Sequence, residues 1–216
     1  MPRLCAILIA CLPNTLVGAA LGALPPDYKG KPWKGEMQVI PGKITAAFYD
    51  VGGEGVAYHD IDAVNHGSGE LNRGPEEKKN FRKDEGVDIS YTKAAFDKFA
   101  DGMVLDVDRY YVGWTAPGEW LNYTVDVKEA GTYRINMLAS SNNKGAEIRF
   151  VINGTDKTGP IVVESTGHWH TWKDYQNIAQ VELEKGPQLL TLKFVKEGNM
   201  NVQYLEFVPI KSTGKE

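Results

Sequence analysis

The chain has 216 residues, 42% of them hydrophobic and 10% aromatic, with a formal net charge of −4. That is apolar material for one core, and it excludes a polyanion binder: the densest basic pair, Lys78-Lys79, sits beside Glu76 and Glu77 and reads as a solvated loop. The two cysteines, Cys5 and Cys11, both lie near the N-terminus, so disulfides and zinc-thiolate sites are excluded from the rest of the chain.

Met1-Pro2-Arg3 followed by an apolar run from Leu4 to Leu12, then Gly18, Ala19, Ala20 and Ala23, has the grammar of an export signal over residues 1–23. The run is too short for a membrane span. Two other readings stay open: Leu8-Ile9-Ala10-Cys11 resembles a bacterial lipoprotein signal ending at Cys11, and the stretch would also suit a buried first strand or helix. Residues 24–37, rich in Pro, Gly and Lys, read as a linker, with Trp33 packing on the edge of a domain that spans residues 38–210. Residues 211–216 are a C-terminal tail.

Within the domain, residues 43–49 and 56–59 are short apolar runs, and residues 65–85 form a long polar surface excursion. Residues 87–91 suit a short strand. Residues 94–100 are expected to form one or two helical turns, with Phe96 and Phe99 on one face. The second half alternates more clearly. Residues 120–127 and 132–139 are strands around the turn Lys128-Glu129-Ala130-Gly131, and residues 147–152 lead into the turn dipeptide Asn153-Gly154. Residues 160–164, 178–183, 189–195 and 202–209 complete the set. Strands of this length with turns every 8–12 residues predict an all-β chain, a single-domain β-sandwich of jelly-roll type. No β-α rhythm and no repeat of 20–50 residues is visible.

Two stretches concentrate the tryptophans. Val112-Gly113-Trp114 and Glu119-Trp120-Leu121 flank a Pro117-Gly118 turn, and Gly167-His168-Trp169-His170-Thr171-Trp172 holds two more. Each stretch is expected to send one indole inward, Trp120 and Trp172, and one outward, Trp114 and Trp169. An exposed indole covers the apolar face of a sugar ring at little entropic cost, and a nearby amide reads hydroxyls. The alternative use of every indole is core packing. His168 and His170 alternate as two metal ligands would, but no third ligand is near, so they read as a loop rim around Trp169 and no metal is expected. No catalytic motif is present, and the acids Asp84, Glu85, Asp88, Asp106, Asp108 and Glu119 show no context that marks a glycosidase pair.

From Ile40 to Pro209 the sequence resembles the family 6 carbohydrate-binding modules. The match runs through Ile40-Pro41-Gly42-Lys43-Ile44, Gly52-Gly53-Glu54-Gly55-Val56-Ala57-Tyr58-His59-Asp60, Glu85-Gly86-Val87-Asp88-Ile89, both tryptophan stretches, Ala130-Gly131-Thr132-Tyr133 and Asn201-Val202-Gln203-Tyr204-Leu205. The resemblance implies a clamp at one end of the sandwich, with Trp114 and Trp169 on either side of a terminal sugar and Asn201, or its neighbour Asn199, binding its hydroxyls. It implies that His59, with Tyr58 beside it, tunes which chain end enters. It also implies a structural calcium held by acids, but the corresponding positions here are Thr45, Ala47 and Gln203, so that site is expected to be lost. The implied protein is an exported, monomeric, non-catalytic module without a cofactor, binding polysaccharide or oligosaccharide ends beside a separate glycoside hydrolase. A small hydrolase or lyase on a jelly roll, or an adhesion sandwich, are the alternatives.

Overall fold

The computed structural model describes residues 22–211, except Met103 and Asn143. The export and lipoprotein readings of residues 1–23 fall almost wholly outside the described residues, as does nearly all of the tail. Fourteen strands are described: β1 (Gln38–Ile40), β2 (Gly42–Thr45), β3 (Tyr58–His59), β4 (Ile89–Tyr91), β5 (Lys98–Phe99), β6 (Tyr110–Val112), β7 (Trp120–Val127), β8 (Gly131–Ser141), β9 (Ala146–Ile152), β10 (Thr155–Asp156), β11 (Ile161–Val163), β12 (Thr171–Leu183), β13 (Gly186–Lys196) and β14 (Met200–Pro209). One sheet runs β1-β7-β13-β9-β10, with β3 on β7 and β11 on β9. The other runs β4-β6-β14-β8-β12-β5, with β2 on β14. Helical pieces are short, so the chain is an all-β sandwich.

Alternation decides what faces the core. Along β7, Leu121, Tyr123, Val125 and Val127 are buried between the sheets, against Ile148, Phe150 and Ile152 of β9 and Leu190, Leu192 and Phe194 of β13. The second sheet answers with Tyr133, Ile135 and Met137 of β8 and Val202, Leu205 and Phe207 of β14. Trp120 shares its parity with Asn122 and Thr124, so it stands on the outer face of the first sheet. This corrects its expected place in the core: it is half-buried, beside His59 at 6.4 Å between ring centroids. It lines an outer-face groove of about 550 Å³ with Asn122, Thr191 and Lys193.

Trp172 is fully buried, as expected, but in a separate small core. Leu138, on the opposite parity from Met137, packs with Tyr111, Trp172 and Leu105 on the outer side of the second sheet. Phe99 and Tyr204 pack against it. The one or two helical turns expected over residues 94–100 come to a single turn, the Asp97 N–H donating to the Lys93 carbonyl at 2.9 Å. Lys98 and Phe99 instead pair in parallel with Thr171 and Trp172, the Lys98 N–H donating to the His170 carbonyl at 3.0 Å and the Ala100 N–H to that of Trp172 at 2.7 Å. What draws the segment into the sheet edge is Asp97, whose carboxylate accepts from the buried Trp172 indole at 2.8 Å.

The 65–85 excursion is more built than its polarity implied. The Asn65 carbonyl oxygen accepts from the N–H groups of Gly67, Ser68 and Ile89. Arg82, with its side chain 1% exposed, donates to the Tyr49 and Asp50 carbonyls and to Glu85. Lys78 is not solvated: its ammonium reaches the Asp108 carbonyl at 2.8 Å and lies 4.0 Å over the Tyr110 ring, where cation–π attraction replaces water. Trp33 packs on Phe81 and under the Arg82 guanidinium, and Tyr28 donates to Asp50 at 2.6 Å. These contacts lay the segment before β1 along the sandwich.

Candidate functional site

At one end of the sandwich the loops after β6, before β12 and before β14 meet. Val112 ends β6 in the core, and Gly113 follows where a side chain has no room: a Cβ there would stand 2.6 Å from the Asn201 Oδ1 and 3.1 Å from the Tyr111 ring. Trp114 then takes a left-handed backbone, φ 51°, a conformation uncommon outside glycine and typical of functional sites. That turn throws its indole outward, 41% exposed. Trp169, 38% exposed, is held from two sides. Its carbonyl accepts from Asn201 Nδ2 at 2.8 Å and from the Ser140 hydroxyl, and its indole N–H donates to the Asn199 Oδ1 at 2.9 Å. The 196–200 turn is tied across to the Trp114 loop, the Asn199 N–H donating to the Thr115 carbonyl and Thr115 Oγ1 bonding the backbone of Met200.

Together these loops line a cleft of about 300 Å³, at the small end for ligand pockets, walled by Tyr111, Trp114, Trp169, His170, Asn199 and Asn201. The three expected residues Trp114, Trp169 and Asn201 are therefore brought together, and Asn199 joins them. Asn201 is 4% exposed, with its amide N–H₂ already donating to Trp169 and Ser140, so its carbonyl oxygen is the part left for a ligand. Tyr58 and His59 do not line the cleft. Tyr58 is 6% exposed, edge-on to Tyr49 and accepting from the Gly86 N–H, because its parity on β3 points it into the core. His59 faces the other way, hydrogen-bonded to Glu54 beside Trp120. His170 and Tyr111 were not anticipated. Tyr111 had a legible signal, since its parity opposes that of core-facing Val112. His170 depends on Asp97, 73 residues away, which no local pattern reveals.

No carboxylate lines this cleft. Glu85 is spent on Arg82 and Tyr49, and Asp106 on Arg109. Asp88 and Glu119 lie behind it, with Asp60. Burial raises all three carboxyls, to about 7, 8 and 6 respectively, and nearby carboxylates add to this: Asp60 on Asp88 and Glu119, and Asp62 and Glu54 on Asp60. The Asp88 carbonyl accepts from the Gly113 N–H and the Glu119 carboxylate from the Ala116 N–H at 2.8 Å, which ties both residues to the Trp114 loop.

The family model described as carbohydrate binding module (family 6) matches residues 77–209. The chain belongs to carbohydrate-binding module family 6. The module is also similar to two solved structures. One is a β-1,3-glucan-binding family 6 module from Bacillus halodurans, at 18% identity and TM-score 0.51, over 80% of this chain and 98% of that one. The other is a family 6 module from Clostridium stercorarium in complex with cellobiose, at 17% identity and TM-score 0.51, over 82% and 99%. At these identities the likeness is one of fold. Comparison with curated proteins yields no match.

The module's residues do not fit the calcium implied by its resemblance. Thr45, Ala47 and Gln203 bring no carboxylate, and Ala47 is fully buried. The Gln203 amide nitrogen, a donor unsuited to a cation, is buried without a hydrogen-bond partner. Among the described residues, no group of three or more His, Cys, Asp or Glu is placed to hold a metal, and no helix is long and apolar enough to cross a membrane.

Proposed function

We propose that this chain is an exported, non-catalytic module that grips the end of a polysaccharide or oligosaccharide between Trp114 and Trp169. The observation that carries the reading is the cleft itself: two half-exposed indoles, amides and an imidazole around a space of about 300 Å³, with no carboxylate in its wall. Glycoside hydrolysis needs two carboxyl groups across the scissile bond, and the raised acids Asp88 and Glu119 lie behind the cleft instead. Indole faces and neutral hydrogen-bonding groups suit a sugar ring, apolar on its faces and polar at its edge. Export follows from the signal grammar of residues 1–23, and the module would serve a separate glycoside hydrolase by holding it near its substrate.

The two structural neighbours set the first ligands to try, β-1,3-glucan and cello-oligosaccharides. Affinity electrophoresis on a polysaccharide panel should show retention by the wild type and its loss in Trp169→Ala, at unchanged melting temperature. Release of reducing sugar by the pure protein, or retention equal to wild type in Trp169→Ala, would overturn the proposal.

A further inference from the structure

The 93–99 segment reaches the clamp through Asp97 and Phe96, both on His170. Asp97 is buried, its side chain 0% exposed, and accepts three hydrogen bonds: from His170 Nδ1 at 2.9 Å, from Trp172 Nε1 at 2.8 Å and from the Lys93 N–H at 2.7 Å. Burial would raise this carboxyl, but those donors together hold it below the usual range. An ionised carboxylate only accepts, so the His170 Nδ1 must be the donor. In the neutral imidazole the proton is then on Nδ1, and Nε2, on the ring edge away from Asp97, carries a lone pair. The edge of Phe96 at 4.7 Å and the His168 ring at 5.5 Å fix the plane of the imidazole.

The two amides of the cleft are also committed, in opposite senses. Asn201 spends its N–H₂ on Trp169 and Ser140 and keeps its carbonyl oxygen. Asn199 spends its carbonyl oxygen on the Trp169 indole and keeps its N–H₂. His170 Nε2 and Asn201 Oδ1 are thus acceptors in the cleft wall, beside the donors Asn199 Nδ2 and the Trp114 indole N–H. Two ligand hydroxyls would donate to the imidazole and the Asn201 amide. A carboxylate or sulfate in that place would set its oxygens against two lone pairs.

We propose that His170, held by Asp97 as a positioning residue, reads a donated ligand hydroxyl and makes the cleft selective for neutral over anionic sugars. This rests on the clamp reading and adds to it the class of ligand and two residues outside the tryptophan pair.

The test uses the full chain at pH 8 on an array of neutral oligosaccharides (β-glucan, xylan, arabinan and agarose series), each printed beside its uronate or sulfated counterpart. Wild type is expected to bind only neutral members. His170→Phe should lose about fivefold to tenfold in affinity, the range of one net hydrogen bond. His170→Gln, which keeps an acceptor, should stay within about threefold. Nitrogen-15 NMR of the imidazoles, which needs no ligand, should find the His170 proton on Nδ1 in wild type and lose that preference in Asp97→Ala. Equal binding of the charged counterparts, wild-type affinity in His170→Phe, or a proton on Nε2 in the free protein would each overturn the inference. If Trp114→Ala and Trp169→Ala also bind as wild type, the clamp itself fails. If they lose binding while His170→Phe does not, only this inference fails.

Discussion

The acidic group tied to the Trp114 loop makes a prediction that needs no ligand. Asp88 is 9% exposed, and its Oδ1 accepts from the His66 N–H at 2.5 Å. Burial pushes its carboxyl from 3.8 to about 7; the His66 N–H and imidazole pull it down, while Asp60 and Asp62 push it up. The folded state therefore holds this proton more tightly than the unfolded chain. At low pH both states are protonated and nothing is lost. As pH rises from about 4 the unfolded state releases the proton first, so stability falls until pH passes about 7, and then levels. A shift of roughly three units sets a ceiling of about 4 kcal/mol, of which about 2.5 kcal/mol falls between pH 5 and pH 8. Asp88→Asn keeps an oxygen for the His66 N–H and removes the titration. Urea unfolding at fixed ionic strength should show the variant gaining on wild type by about 2.5 kcal/mol from pH 5 to pH 8. Asp60 and Glu119 remain in the variant, so its own curve still falls with pH and only the difference isolates Asp88. Two parallel curves across that range would refute the reasoning.

Three other outcomes follow from the packing. Trp172→Ala should cost about 3–5 kcal/mol, since it empties a fully buried site and strips Asp97 of a donor, whereas Trp120→Ala, on the outer face, should cost about 1–2 kcal/mol in the same denaturation assay. Gly113→Ala should cost about 1–3 kcal/mol and abolish glycan retention, because its Cβ would displace Asn201; a variant that binds as wild type would show that the close approach is dispensable. Adding a chelator should leave the thermal midpoint unchanged, and a large drop would reveal a cation held elsewhere.

Much of this was readable because the strands alternate. Residues 120–127 were read as a strand, and β7 has those bounds. The same pattern held the answer for Trp120, whose parity with Asn122 and Thr124 marks it as outward; its size argued for the core, and register outweighed size. Tyr58 and His59 illustrate the same rule, as neighbours on one strand cannot both face the cleft. The start of β12 was missed because Lys173, Asp174, Gln176 and Asn177 are exposed, which leaves no apolar stripe to detect. Over residues 94–100 the Phe96 and Phe99 spacing imitates a helix. What prevails is a buried hydrogen bond to Trp172, a partner that sequence distance hides. The clamp was legible as three residues but not as a network, since its orientation depends on Asn199, His170 and Asp97 meeting from separate loops.

The central claim is that Trp114 and Trp169 face one ligand together. Isothermal titration of wild type, Trp114→Ala, Trp169→Ala and Trp120→Ala with whichever neutral oligosaccharide binds best tests it most directly. Each clamp variant should lose at least about fivefold in affinity, in line with about 1–3 kcal/mol for stacking on an aromatic side chain, while Trp120→Ala retains wild-type affinity for this cleft. Retained affinity in both Trp114→Ala and Trp169→Ala, with loss in Trp120→Ala, would contradict the account and move the site to the outer face of the first sheet.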